Sequence, residues 1–164
     1  MTRGSRVFRP ADVPENNASS YPEPFREGDS ANVSTHVWAI MLGSRTTAST
    51  SFGSYPAASR RPVTRISKQD EFVYVIEGEF VLVTDAGRET ARPGMCIGFP
   101  AGTGDGHHFL NLTEKDAALI VVGDRTADDE ATYPDIDLEL KAGPDGVKGF
   151  RRKDGTPYPR MTRD

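Results

Sequence analysis

The sequence predicts an all-β protein, an antiparallel sandwich or filled barrel, and three observations carry that prediction. Short runs dense in Val, Ile, Phe and Tyr recur along the middle of the chain. Turn signals built on Gly, Pro and Asp separate them about every ten residues. No stretch shows the apolar periodicity of an amphipathic helix.

The strongest run is Glu71 to Asp85, EFVYVIEGEFVLVTD, with Gly78 in its middle as a turn or kink point. Alternation puts Phe72, Tyr74 and Ile76 on one face and Glu71, Val73 and Val75 on the other. Both faces are largely apolar, so the strand is expected to be covered on both sides. Asp85-Ala86-Gly87-Arg88 reads as a hairpin turn, and Pro93-Gly94 as the next one. Met95 to Phe99, His107 to Asn111 and Ala117 to Val122 read as further strands. Before the strongest run, Thr35 to Leu42 and Ala48 to Tyr55 supply two weaker ones.

The ends read differently. Pro10, Pro14, Pro22 and Pro24 make residues 1–34 an irregular arm, with Tyr21 and Phe25 as apolar anchors. Residues 35–123 form the predicted barrel, and 124–164 a C-terminal extension packing on it. In that extension Asp128-Asp129-Glu130 reads as a solvated turn, and Ile136, Leu138 and Leu140 alternate as an edge strand. Asp154-Gly155 marks one more turn.

Composition removes several function classes. At 164 residues there is room for one domain with tails. A net charge of -4 speaks against nucleic-acid binding, which needs a basic stripe. Arg60, Arg61 and Arg65 read as a solvated patch. No apolar run reaches the length of a membrane span, and no secretory signal is visible, so a cytoplasmic protein is expected. Cys96 is the only cysteine, which excludes an intrachain disulfide, and its apolar neighbours predict a buried thiol. Gly102-Thr103-Gly104-Asp105-Gly106 lacks the Lys and the helix of a phosphate-binding loop and reads as a hairpin loop or a pocket rim.

Two segments resemble the paired motifs of the cupin superfamily. Ala58, Thr64, Ile66, Glu71 and Gly78 keep the spacing of its first motif, Gly, five residues, His-x-His, four residues, Glu, six residues, Gly. Gly94, Pro100, Gly102, His107 and Asn111 follow its second motif, with two extra residues before the His. The ending, through Gly123-Asp124-Arg125-Thr126, Tyr133-Pro134-Asp135 and Lys153-Asp154-Gly155-Thr156, is similar to that of a group of small bacterial cupins. The resemblance implies a double-stranded β-helix, the jelly-roll cupin barrel, with irregular N- and C-terminal arms.

The resemblance also implies where a metal would sit. In metal-binding cupins two His and the Glu of the first motif and the His of the second hold Fe, Mn, Ni or Zn, ions suited to imidazole and carboxylate. By position Glu71 and His107 remain here, whereas Thr64 and Ile66 stand where imidazoles would be. No cofactor is therefore expected; any metal would be Fe, Mn, Ni or Zn on His107 and Glu71, with His36 as a conceivable third ligand. His36 and His108 otherwise read as surface or hydrogen-bonded histidines.

Without metal, Glu71 and His107 form a candidate acid/base pair, with Thr64, Ile66, Val73, Phe109 and Asn111 as the expected pocket lining. Asn111 is also a natural turn former. The leading functional expectation is a metal-independent small-molecule protein, an isomerase, dehydratase or cyclase by its acid/base pair. Its alternatives are a non-catalytic binding or sensing module, and a metal-dependent oxygenase or isomerase with an atypical ligand set. The expected partners are a small-molecule ligand or substrate and a second copy of the chain, because Tyr21, Phe25 and the apolar outer face need cover. Light scattering at micromolar concentration is expected to give the mass of a homodimer; a monomer mass overturns that expectation.

Overall fold

The computed structural model describes residues 21–23, 25, 34–37, 48–55, 57, 62–124, 126, 128–144 and 146–159. Within them the chain is all strand: β1 (Ser34–Val37), β2 (Ala48–Tyr55), β3 (Arg65–Ile66), β4 (Glu71–Glu77), β5 (Phe80–Thr84), β6 (Gly87–Ala91), β7 (Cys96–Phe99), β8 (His108–Leu110), β9 (Ala117–Asp124), β10 (Ala131–Tyr133), β11 (Leu138–Ala142) and β12 (Lys148–Arg151). Residues 38–42 of the first predicted strand, Ala58 of the first motif, and Arg60 and Arg61 lie outside the described residues.

The strands pair antiparallel in two layers. One is a five-stranded sheet in the order β1-β2-β9-β4-β7. The other is built from two ladders, β12-β11-β10-β3 and β6-β5-β8. A bridge between Thr64 and His107 joins them, with each backbone N–H donating to the other residue's carbonyl at 3.0 Å. Among the described residues no ladder closes one layer onto the other, so the jelly roll is open-sided in its hydrogen bonding.

The core lies between the layers. Val73 and Val75 of β4, Ala117 and Leu119 of β9 and Tyr55 of β2 meet Phe80 and Leu82 of β5, Ala91 of β6 and Phe109 of β8. Phe80 is fully buried and receives Tyr55 and Phe109 edge-on, at ring centroid distances of 5.1 and 5.9 Å. Burying such a ring contributes about 1.5–3 kcal/mol from area alone. The geometry adds about 0.5–1.5 kcal/mol for each aromatic pair.

The expected cover on both faces of β4 is not found. Phe72, Tyr74 and Ile76 are 43%, 39% and 39% exposed. The second layer lies against the opposite face, where Val73 and Val75 are buried. Cys96, predicted to be buried, is exposed for the same reason: it is registered against Tyr74 and shares that outward face.

The chain passes between layers at Gly78. A bulge between Val75 and Glu77 ends the β4–β9 register, and Gly78 follows at φ +78°. A Cβ there would stand 2.4 Å from the Ala117 Cβ. Both the positive φ and the close approach require glycine.

The C-terminal segment is joined to the barrel by hydrogen bonds: β10 pairs with β3, Ala131 against Ile66 and Thr132 against Arg65. The strand predicted at an edge, β11, lies inside its ladder between β10 and β12. A second cluster of Ala131, Tyr133, Leu138 and Tyr158 receives Tyr21 and Phe25 from the same chain. Tyr21 meets Tyr133 at 5.5 Å and Phe25 meets Tyr158 at 5.7 Å, both edge-to-face. These two anchors therefore have cover within their own chain. Asp129, expected in a solvated turn, is buried and accepts hydrogen bonds from Ser67 Oγ at 3.1 Å and the Lys68 N–H at 2.8 Å. A buried carboxylate needs such donors, and two residues just after β3 supply them.

Gly78→Ala is expected to destabilise the fold by about 2–4 kcal/mol, combining left-handed strain with overpacking. Urea unfolding measures it, and a loss under about 0.5 kcal/mol, the size of a neutral surface change, refutes the corner assignment.

Candidate functional site

Three strands bring the site together. Glu71 opens β4 and is registered against Phe99 at the end of β7, so the two side chains share the inner face. His107 stands just before β8, held by its bridge to Thr64. Gly106 makes that approach possible: a Cβ there would lie 2.8 Å from Val63 Cγ1 and 3.1 Å from Arg65 Cγ.

The outcome is a tightly held pair. His107 Nε2 and Glu71 Oε1 are 3.0 Å apart, with the two side chains 8% and 20% exposed. Phe99 lies flat on the imidazole, ring centroids 3.5 Å apart and planes 8° from parallel. Phe109 backs both rings edge-on, at 6.2 Å from Phe99 and 6.3 Å from His107. A hydrogen bond with one charged partner contributes about 1.5–3 kcal/mol. That exceeds the roughly 1 kcal/mol of side-chain freedom it restrains, so the ring is fixed.

The pair lines a small open cleft together with Ile66, Gln69, Phe99, Pro100, Thr103 and Asp105. The Gly-rich run is the rim of this pocket. Gly102 and Gly104 both take φ +71°, which lets the loop turn back over the strands. The Ala101 N–H donates to Asp70 Oδ1 at 2.7 Å, and the Asp85 N–H to Asp105 Oδ1 at 2.8 Å, so the rim is fastened on both flanks.

Of the residues singled out from the sequence, Glu71, His107 and Ile66 come together here. Thr64 sits beside His107 across their bridge, its hydroxyl donating to the Pro62 carbonyl at 3.3 Å. Val73 and Phe109 belong to the core beneath the pocket. Asn111 is not a lining residue. It is fully buried at a turn, its amide donating to the carbonyls of Tyr55 at 3.0 Å and Lys115 at 2.7 Å while its oxygen accepts the Thr113 N–H. Gln69 and Phe99 escaped the sequence reading, whereas Thr103 and Asp105 entered it only within the Gly-rich rim and Pro100 only as a motif position. The signal for Phe99 is its register against Glu71, which requires β4 and β7 to be paired across the intervening β5–β6 hairpin.

The residues present do not fit the metal that the fold commonly carries. Ile66 offers no donor and the Thr64 hydroxyl is engaged with backbone. Glu71 and His107 are spent on one another. His36 is registered against Phe52 on β1, three strands across the sheet from β4, and in the row of Tyr74 rather than Glu71. Three strand spacings are about 14 Å, too far for a shared ion. His108 pairs with Val83 on β5, and its side chain alternates away from that of His107. Among the described residues no three His, Cys, Asp or Glu side chains gather.

A jelly roll with an acid and a base at one end of its core is a scaffold for small molecules. Comparison with known proteins agrees with that class. The cupin domain family model matches residues 55–123. A solved structure from Silicibacter pomeroyi, described as a sugar phosphate isomerase from the cupin superfamily, is 31% identical, with a TM-score of 0.81 over 94% of this chain and 97% of that chain. The polyketide cyclase RemF from Streptomyces resistomycificus shares the fold at 17% identity, with a TM-score of 0.60 over 75% of this chain and 81% of that one. No curated protein matches. The chain belongs to the cupin superfamily.

Restoring imidazoles tests the vacated geometry. The double variant Thr64→His, Ile66→His is expected to bind Ni²⁺ or Zn²⁺ at least about 100-fold more tightly than the parent, since even an outer partner is worth about 10–100-fold. Calorimetric titration reads the gain. No gain would mean that these two positions do not face His107 and Glu71.

Proposed function

We propose that the protein is a metal-independent isomerase that moves a proton on a small hydroxycarbonyl compound, with Glu71 and His107 as its acid/base pair. The observation that carries this reading is the 3.0 Å contact between His107 Nε2 and Glu71 Oε1 on the wall of an open pocket. A base beside a carboxylate that orients it and stabilises its protonated form is the usual arrangement for proton transfer. The likeness in sequence to a sugar phosphate isomerase along nearly the whole chain supports the reaction class.

In the proposed reaction His107 takes the proton from the carbon next to the substrate carbonyl, and the carbonyl oxygen is protonated as the enediol forms. Returning a proton to the former carbonyl carbon, while the hydroxyl on the carbon first deprotonated loses its proton and becomes the new carbonyl, completes an isomerisation without net oxidation or reduction. Glu71 holds the imidazole in place and balances its positive charge while the proton is carried. Phe99 blocks one face of the ring, so the imidazole cannot swing away from the carboxylate. Gln69, Thr103 and Asp105 supply hydrogen-bonding groups that suit hydroxyls.

A panel of aldoses, ketoses and their phosphates in deuterated water tests this. Proton exchange and isomerisation are expected with the parent, and Glu71→Gln or His107→Gln should each lower kcat by about 10²–10⁴. Turnover that survives both changes sinks the assignment. Metal-stripped protein is expected to keep full activity; loss restored by Fe, Mn, Ni or Zn would favour a metal-dependent reading instead.

A further inference from the structure

We propose that the pocket selects an uncharged polyhydroxy substrate over its phosphate ester, and that Asp105 sets this preference. The inference rests on the proton-transfer reading of the same site and says what that site admits.

Two carboxylate residues, Glu71 and Asp105, line the pocket, and among the described residues no Lys or Arg lines it. A phosphate group carries about -1.5 to -2 charges at neutral pH. Brought into this pocket, it would meet two like charges and, among the described lining residues, no Lys or Arg. Hydroxyl groups meet the opposite situation. Carboxylate oxygens are strong acceptors for them, and the Gln69 amide and Thr103 hydroxyl both donate and accept.

The neighbouring cation is already committed. Arg65 follows Thr64 beside the site, and its Nη2 lies 3.0 Å from Asp85 Oδ2. Its side chain runs under Gly106, where a Cβ would come within 3.1 Å of Cγ and 3.2 Å of Nε. Swinging the guanidinium out to an anion would break the Asp85 pair and open this packing. Asp85 in turn donates its backbone N–H to Asp105 Oδ1 at 2.8 Å. The contacts from Arg65 through Asp85 to Asp105 thus place the guanidinium on Asp85 and hold a carboxylate on the rim. Asp105 acts on specificity here, apart from the proton transfer assigned to Glu71 and His107.

Matched pairs, each a free sugar and its terminal phosphate ester, test the proposal on the full chain. Calorimetry gives Kd and the deuterium-exchange assay gives kcat/KM for both members. The parent is expected to favour the free sugar by at least about 10-fold, a ratio that hydrogen-bonding and like-charge discrimination readily reach. Asp105→Asn keeps an oxygen acceptor for the Asp85 N–H while removing the charge. It should cut that ratio about 5-fold or more, through KM rather than kcat, and added salt should shrink the difference in the parent.

An ester bound or turned over better than the free sugar, a ratio unmoved by Asp105→Asn, or binding of neither member would each overturn it. Turnover of the ester that depends on Glu71 leaves the acid/base reading standing and removes only this inference. Tighter binding of the free sugar without turnover does the reverse.

Discussion

The pair of backbone hydrogen bonds between Thr64 and His107 is the constraint on which the rest of the site depends. It joins two ladders into the layer that faces the five-stranded sheet. It also places an imidazole at one end of the core. The bridge runs close to a crowded strand, and a Cβ at Gly106 would stand 2.8 Å from Val63 Cγ1 and 3.1 Å from Arg65 Cγ, so glycine suits this position. The backbone thus decides where His107 stands before any side-chain chemistry does.

Around that point the pocket is assembled from segments remote in sequence, each fixed by an ordinary polar contact. Glu71 and Phe99 come opposite one another because β4 and β7 are paired in register. The Gly-rich rim is tied down through Asp70 and Asp85. The segment carrying Gln69 is held from outside the barrel: Ser67 and Lys68 donate to buried Asp129, and Glu130 donates its N–H back to Ser67 Oγ. The tail, seated on its own aromatic cluster with Tyr21 and Phe25, therefore helps to form one wall of the pocket. That gives the C-terminal layer a part in function that its distance from Glu71 along the chain does not suggest.

Much of the fold was legible because alternation and turn chemistry are local. Val73 and Val75 inward, the corner at Gly78 and the hairpin at Asp85 to Arg88 all follow from a few neighbouring residues. Glu71 and His107 were legible for another reason, since the spacing of two motifs carries them by resemblance. What depends on which layer covers which face was not legible. Phe72, Tyr74 and Ile76 are as apolar as a core face, and only the position of the second layer shows that they point outward. Asp129 looked solvated among its acidic neighbours because its donors, Ser67 and Lys68, are some sixty residues away. The stacking of Phe99 on His107 likewise needs both strand registers at once.

On the proposed reading, Ile66 is what turns the same scaffold from an ion site into a proton-transfer site. In the metal-binding version of this frame an imidazole there would help to hold a cation, and that cation would satisfy both the carboxylate and the remaining imidazole. With an aliphatic side chain at that position the cation has too few donors, and a partly buried carboxylate must find another strong partner. The nearest is His107, whose position the Thr64 bridge has already set and whose orientation Phe99 fixes. The carboxylate and imidazole then satisfy each other at 3.0 Å. In the proposed reaction, two groups that would both have been ligands then serve as the base that carries the proton and the carboxylate that holds that base in place.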